Sequence, residues 1–193
     1  MKEIRLVIDT NVFIPCGDKS EEIIKSIREF GDKLPELAEY FDVTILLSTD
    51  VLNEYRCKIR PNLKDKGCHP LPKFHSDFVR NLDRICRLHK SHKKCKEVSV
   101  GLFKFHVIES SKLDKYEVKE FINDEDDEKF LRLALAVAKG QIVYILSVDS
   151  ESLLKLRNDK DKYKKLCKRY DEAKNVAVLL PHEFIKKLEK MSQ

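Results

Sequence analysis

The feature that most constrains this chain is an alternation between short apolar runs and amphipathic segments. Apolar runs of strand length occupy residues 4–8, 43–48, 142–147 and 176–180, interrupted only by Arg5 in the first. Segments with apolar residues at helical spacing lie between them. Apolar strands joined through helices form parallel sheets that helices cover on both faces. The sequence therefore predicts a three-layer α/β/α fold with a central, mostly parallel sheet.

The same patterns predict the order of the elements. We expect helices over residues 21–30, 35–41, 49–58, 74–88, 124–139 and 151–172, and a last helix that begins at Pro181. Residues 98–108 alternate in polarity with a break near Gly101, which predicts an extended segment with a bend. We interpret the chain as one domain over residues 1–193, in which residues 61–120 form a helical, basic insertion.

The charge is distributed unevenly along the chain. Residues 55–104 hold 14 Lys and Arg against 4 Asp and Glu, a net charge of +10, whereas the whole chain carries +5. The remaining residues are therefore net acidic. A basic segment on an acidic body favours a polyanionic partner and a concentration of carboxylates elsewhere. A solvated, lysine-rich surface is the alternative interpretation.

Hydropathy and cysteine content bear on the compartment. No apolar run approaches the ~18 residues that a membrane span needs. The first ten residues have too short an apolar core for a signal peptide and no small-residue cleavage site. We therefore expect a cytoplasmic protein that does not contact a membrane. In that compartment the six Cys are expected to be reduced thiols.

Acidic residues recur at the places where a ligand site would form in such a fold. Asp9 and Asp149 follow strands, Asp127 lies in the first turn of a helix, and Glu54 lies one turn into another helix. Ligands of open α/β sheets bind beyond the carboxyl ends of the strands. Each acid alone is typical of a turn or of a helix N-terminus. Together, four converging carboxylates would repel one another unless protons or a cation neutralise them.

The chemistry of such a cluster is specific. Ligand sets made only of oxygen favour Mg²⁺ or Mn²⁺ over softer metals. An ion held by few carboxylates keeps water ligands, so phosphate oxygens can replace some of them and a remaining water can attack phosphorus. This chemistry needs no Ser, Cys or His nucleophile. The acids therefore favour metal-dependent hydrolysis of a phosphodiester.

Four segments carry a family resemblance in the right order. The segments are LVIDTNVFI, LLSTDVLNEYR, DEDDEKFLRLALA and YILSVD, followed by VLLPHEFIKKL. They resemble the acidic motifs of the PIN domain family, and the ending resembles its bacterial and archaeal branch of VapC-like toxins. The resemblance covers residues 4–56 and 121–188. It implies a PIN-like fold and a Mg²⁺- or Mn²⁺-dependent endoribonuclease that hydrolyses single-stranded RNA.

The resemblance also implies roles for residues and partners. The acids that match the metal-binding and catalytic positions are Asp9, Glu54, Asp127 and Asp149, with Asp124 as a further metal-binding acid. The matching polar positions are Thr10, Asn11 and Ser147, whereas Val148 stands where the family commonly has a polar residue. An antitoxin protein and a second copy of the chain are the implied protein partners. The alternative is a non-catalytic or RNA-processing nucleic-acid-binding module of PIN type.

The insertion holds the candidate RNA-binding residues. Arg80, Arg84 and Arg87 share a face at helical spacing, opposite an apolar stripe. We interpret them as a surface for the RNA backbone, together with Lys90, Lys93 and Lys94. A solvated helix face is the competing interpretation.

The same insertion contains cysteines and histidines three positions apart. They are Cys86, His89, His92 and Cys95. Three-residue steps drift by ~60° along a helix, so Cys86 and Cys95 would face opposite sides. A tetrahedral zinc site would need the helix to break near Ser91. We therefore favour isolated thiols and surface imidazoles over zinc.

Overall fold

The structure is a computed structural model that describes residues 1–65, 68, 70–91 and 97–193, without the side chains of residues 88–91. The strands are β1 (Lys2–Ile8), β2 (Phe41–Ser48), β3 (Glu97–Val100), β4 (Phe103–Ile108), β5 (Val143–Leu146) and β6 (Val176–Leu179). The helices are α1 (Glu21–Leu37), α2 (Thr49–Asp65), α3 (Lys73–Ser91), α4 (Glu125–Val137), α5 (Leu153–Asn158), α6 (Lys160–Arg169) and α7 (Pro181–Ser192).

The described strands form one sheet in the order β3-β4-β2-β1-β5-β6. All neighbours pair in parallel except β3 and β4, which form an antiparallel hairpin at one edge. Helices flank this sheet, and the prediction of a three-layer α/β/α fold is confirmed. The central strands β1, β2 and β5 are buried on both faces over most of their length. This explains their nearly continuous apolar sequences.

The order of the strands creates a switch point in the sheet. From β1 the chain moves outward to β2 and then to β4, and later returns to add β5 on the other side of β1. Adjacent connections therefore leave in opposite directions at β1 and β5. A crevice opens at such a point beyond the carboxyl ends of the strands. Asp9 follows β1 directly, and Asp149 follows β5 by three residues.

Two helices extend through prolines where the sequence predicted breaks. The prediction of separate helices over 21–30 and 35–41 is wrong, because α1 is continuous and contains Pro35. Helix α2 likewise passes through Pro61 and ends at Asp65 rather than near Lys58. An interior proline costs a helix about 3 kcal/mol. Burial of apolar side chains in the same turns, such as Leu34 and Leu63, offsets that cost.

The described residues between positions 61 and 120 contribute to the main core. They supply α3 and the β3–β4 hairpin, and β4 extends the parallel sheet beside β2. The predicted bend at Gly101 is the hairpin turn, where the glycine adopts a φ of +61°. On α3, Phe74 and Phe78 are buried and pack against Phe13 from the loop after β1. The basic insertion is thus helical on one side and continues the sheet on the other.

One pair of cysteines departs from the prediction of reduced thiols. Cys16 and Cys68 form a disulfide, with their Cα atoms 5.7 Å apart. Cys16 lies in the loop between β1 and α1, and Cys68 lies between α2 and α3. The prediction is wrong at this pair because packing of those elements brings together residues that are 52 positions apart.

None of the helices in the described ranges is long and apolar enough to cross a membrane.

Candidate functional site

Asp9 anchors the candidate site at the carboxyl end of β1. Its side chain is 2% exposed. One carboxylate oxygen accepts a hydrogen bond from the Asn11 amide at 3.1 Å, and the other accepts one from the Ser147 hydroxyl at 2.8 Å. The pKa of Asp9 is raised to about 6, chiefly by burial, while the two hydrogen bonds lower it and the charges of Glu54 and Asp149 raise it. Asp9 is therefore a carboxylate that a nearby cation would stabilise.

Ser147 connects the two strand ends. It is fully buried directly after β5, and its oxygen also accepts a hydrogen bond from the Asp149 amide at 3.1 Å. One hydroxyl thus fixes the Asp9 side chain and the backbone that carries Asp149. The structure places the predicted supporting residue Ser147 between the two predicted acids.

The start of α4 brings two more acids to the same edge. Asp124 caps the helix by accepting a hydrogen bond from the Asp126 amide at 2.8 Å, and Asp127 follows within the first turn. Carboxylate oxygens of Asp124, Asp127 and Asp149 all lie within 4.8 Å of one another. We call these three residues the acidic cluster. Within the described part of the chain, Asp9 and Glu54 are not members of this group.

Asp127 is the most unusual member of the acidic cluster. Its side chain is 6% exposed, and its Oδ2 atom is buried without a hydrogen-bond partner among the described residues. Its pKa is raised to about 7, chiefly by burial and in addition by the charges of Asp9, Asp149 and Asp124. The nearby hydroxyl of the buried Ser152 opposes this increase in the pKa. A buried oxygen without a partner is costly, and a ligand at this atom would remove the cost.

The residues present fit a hard divalent cation. The donors of the acidic cluster are all carboxylate oxygens, which suit Mg²⁺ and Mn²⁺. The atom that lacks a partner, Asp127 Oδ2, belongs to this donor set. The three carboxylates differ in exposure, from the buried Asp127 to the exposed Asp124, so the cluster is open to solvent on one side. Such a site leaves coordination positions for water or substrate.

Glu54 lies near Asp9, but its neighbours are a hydroxyl group and two ammonium groups. Its Oε1 accepts a hydrogen bond from the Thr10 hydroxyl at 2.6 Å, and the Lys58 ammonium is 3.5 Å from the same atom. Its Oε2 contacts the ammonium of Lys129 on α4. The structure therefore places Thr10, as predicted, within the site. It surrounds Glu54 with cations that the sequence interpretation did not include.

Three residues of the site were missed from the sequence. Lys129 and Lys58 surround Glu54, and Ser152 lies beside Asp127. Lys129 follows Asp127 by two positions, which puts it on another face of α4. Its partner is on a different helix, so no local spacing indicates the contact. Lys58 is the exception, because its spacing of four from Glu54 is typical of a helical ion pair.

A pocket of about 320 Å³ adjoins the acidic cluster at Asp149. It is lined by Asn11, Asp18, Lys19, Ile23, Val148 and Asp149. Asn11, a predicted supporting residue, contributes its side chain to this pocket and its backbone amide to Asp9. Val148 gives the pocket an apolar wall. The pocket combines polar, charged and apolar groups next to the carboxylates.

The predicted RNA-binding arginines lie on α3. Arg80, Arg84 and Arg87 are all exposed, and Arg80 is 3.7 Å from Asp77 on the same helix. Helix α3 packs against α1 and α2 with the apolar face opposite these arginines. The Lys90 side chain, Lys93 and Lys94 lie outside the described residues. The same holds for the His89 side chain, His92 and Cys95 of the zinc interpretation.

Comparisons with protein-family models, with curated proteins and with solved structures found no match to this chain.

Proposed function

We propose that this protein is a Mg²⁺- or Mn²⁺-dependent endoribonuclease that hydrolyses phosphodiester bonds in single-stranded RNA. The observation that carries the proposal is the buried, unpartnered Oδ2 of Asp127 within a cluster of three carboxylates at the switch point of the sheet. A proton relieves the repulsion in such a cluster only partly. A divalent cation would offset two negative charges and also give the unpartnered oxygen a ligand.

The arrangement assigns a task to each group. Asp124, Asp127 and Asp149 would hold the ion, and Asp9 adds negative charge beside it. When bound, the ion would polarise a phosphate oxygen and lower the pKa of a coordinated water, which is the chemistry that phosphodiester hydrolysis needs. Ser147 keeps Asp9 and Asp149 in register, because it bonds to both. The pocket that Asn11 and Lys19 line gives a substrate a place beside Asp149.

The preference for RNA rests on charge and on the family resemblance. The net charge of +10 over residues 55–104 includes the three exposed arginines of α3. Arginine side chains on one helix face suit contacts with a phosphate backbone. Replacing Arg80, Arg84 and Arg87 together with Gln should weaken RNA binding and flatten its dependence on salt. Unchanged binding would contradict a role for this surface. An antitoxin protein and a second copy of the chain stay predictions.

The direct test is a cleavage assay on end-labelled, single-stranded RNAs of mixed sequence, with and without Mn²⁺. We expect cleavage products that need Mn²⁺ and that disappear in Asp9→Asn while the far-ultraviolet circular dichroism spectrum is kept. Glu125→Gln is the matched control, since Glu125 is an exposed acid on the first turn of α4 outside the acidic cluster.

Two results would contradict the proposal. A folded Asp9→Asn protein with full activity would remove the catalytic site. RNA binding without cleavage at any Mn²⁺ concentration would favour the non-catalytic module on the same fold.

A further inference from the structure

The candidate site contains a positively charged side chain, that of Lys129. The ammonium of Lys129 contacts Glu54 Oε2, and the side chains of the pair are only 18% and 9% exposed. By comparison, the pair of Lys58 and Asp126 leaves 47% and 69% of its side chains exposed. Charges that are shielded from water interact more strongly than charges at the surface. The contact between Lys129 and Glu54 is therefore a fixed part of the site.

This pair divides the site into two halves. On one side are the three carboxylates of the acidic cluster, with the unpartnered Asp127 Oδ2. On the other side, Glu54 is bonded to Thr10 through one oxygen and contacted by Lys129 through the other. Asp9 connects the halves, since it precedes Thr10 in the chain and bonds to Ser147. Glu54 is thus paired with ammonium groups in one half, whereas the acidic cluster in the other half has no ion pair among the described residues.

We infer that the site takes a single divalent ion, and that the Lys129 ammonium occupies the place of a second cation beside Glu54. This inference rests on the proposed metal-dependent function. Two-metal sites hold their ions about 4 Å apart with carboxylates between them. An ion at Glu54 would have to displace a largely buried ammonium and would leave that positive charge next to the metal. Glu54 is accordingly not a metal ligand in this chain, and Lys129 is a positioning residue that holds it.

The inference separates Glu54 from the other acids that the sequence grouped with it. Asp127 and Asp149, with Asp124, bind the ion, whereas Glu54 orients Thr10 and compensates Lys129. Lys129 also lies 4.0 Å from Asp126, so its ammonium is held between α2 and the first turn of α4. Removing the lysine would leave the Oε2 atom of the largely buried Glu54 without its ammonium partner, and only the more exposed Lys58 would still compensate the charge. Such a carboxylate would recruit a cation from solution.

The test is a titration with Mn²⁺ followed by electron paramagnetic resonance, which counts bound ions without any assay of cleavage. The wild-type protein should bind one Mn²⁺ per chain. Lys129→Met should bind two, because Glu54 becomes available. Lys129→Met combined with Glu54→Gln should return the count to one, and Lys129→Arg should keep it at one. A count of two in the wild type, or of one in Lys129→Met, would overturn the inference.

Glu54→Gln alone tests the inference if Lys129→Met fails to fold. Its Mn²⁺ affinity should fall by less than about fivefold, the effect of one distant charge. Asp149→Asn should lose more than about tenfold, as for an altered metal environment. A loss in Glu54→Gln as large as in Asp149→Asn would make Glu54 a ligand and overturn the inference. Absence of any Mn²⁺ binding to the wild type would instead remove the metal site, and with it the proposed function.

Discussion

The acidic cluster and the core beneath α3 both bury an ionisable side chain that lacks a hydrogen-bond partner. In the acidic cluster this residue is Asp127, and in the core it is His75, whose two ring nitrogens have no partner among the described residues. Burial shifts both pKa values toward the neutral form. It raises the pKa of Asp127 to about 7 and lowers the pKa of His75 to about 3, with the charge of Arg28 adding to the latter effect.

The neighbours of the two residues differ completely. His75 lies among aromatic rings, with centroids 5.7 Å from Phe13, 6.1 Å from Phe30 and 5.8 Å from Phe74. Asp127 lies among carboxylates whose oxygens converge within 4.8 Å. The aromatic rings around the histidine do not form a set of ligands for an ion. The carboxylates around the aspartate do form such a set. A buried ionisable group without a hydrogen-bond partner therefore indicates a ligand site only where neighbouring side chains could bind the same ligand.

Replacing the two residues should separate function from stability. Asp127→Asn should reduce cleavage by about a thousandfold or more, because it removes one ligand of the ion. The same change should raise the free energy of unfolding of the metal-free protein at pH 7, since it removes a repelled, buried carboxylate. His75→Leu should leave cleavage within about threefold of the wild-type rate, because the residue packs among aromatic rings and not among the carboxylates. Rates under single-turnover conditions and thermal unfolding curves measure both effects.

The comparison between the two regions would fail if the results were exchanged. An Asp127→Asn protein that cleaves RNA normally would remove Asp127 from the functional site. A folded His75→Leu protein without activity would place a functional group in the core. Glu125→Gln controls for the loss of a negative charge near the start of α4.

Binding of Mn²⁺ should depend on pH through Asp127 of the acidic cluster and through the neighbouring Asp9. Asp9 and Asp127 have pKa values of about 6 and about 7, so both bind protons in the metal-free protein as the pH falls below 7. An ion must displace those protons, and its apparent affinity should therefore fall by about a hundredfold between pH 8 and pH 5.5. Isothermal titration calorimetry in buffers of different ionisation enthalpy measures the released protons directly. His75→Leu should not alter this profile, whereas Asp127→Asn should flatten it. A profile that Asp127→Asn does not change would assign the titration to another group.

The contribution of His75 to the free energy of unfolding should change with pH in the opposite direction to that of the two aspartates. The pKa of His75 is lowered in the folded state, so the unfolded state binds more protons below pH 6.5 and stability is lost as the pH falls toward 3. This loss amounts to about 2 kcal/mol between pH 7 and pH 5. The raised pKa values of Asp9 and Asp127 act in the opposite direction, because their folded forms bind protons more readily below pH 7.

The variant His75→Leu isolates the histidine contribution. It should unfold with about 1–3 kcal/mol more free energy than the wild type at pH 7, since two unpartnered nitrogens are removed from the core. The difference between the two proteins should grow by about 2 kcal/mol at pH 5. Urea unfolding at both pH values measures it. A constant difference would mean that His75 titrates normally in the folded protein.

The carboxylates at the ends of the strands were easier to predict from the sequence than the packing of the core or the contact of Lys129. Asp9 and Asp149 follow apolar strands, and the carboxyl ends of neighbouring parallel strands meet at one edge whatever the details of packing. The contact of Lys129 with Glu54 depends instead on how α2 and α4 are rotated against each other, which side-chain packing decides. The disulfide of Cys16 and Cys68 depends on tertiary packing in the same way.

Close packing of α1 against α3 gives the smallest of the expected effects. A methyl group at Gly31 would lie 2.5 Å from the Pro72 Cβ and 2.9 Å from the His75 ring, both at the start of α3. Gly31→Ala gains about 1 kcal/mol of helix propensity but overpacks this contact by about 1–3 kcal/mol. We expect a net loss of about 1 kcal/mol in the free energy of urea unfolding, with cleavage unchanged well below the unfolding temperature.

The control is Lys25→Ala, a change at an exposed position on the same helix, which should have no measurable effect. A Gly31→Ala protein more stable than the wild type would show that the two helices can separate without cost. The core around His75 would then have room to adjust. The contrast between a tightly packed interior and an acidic cluster that needs a ligand would no longer hold.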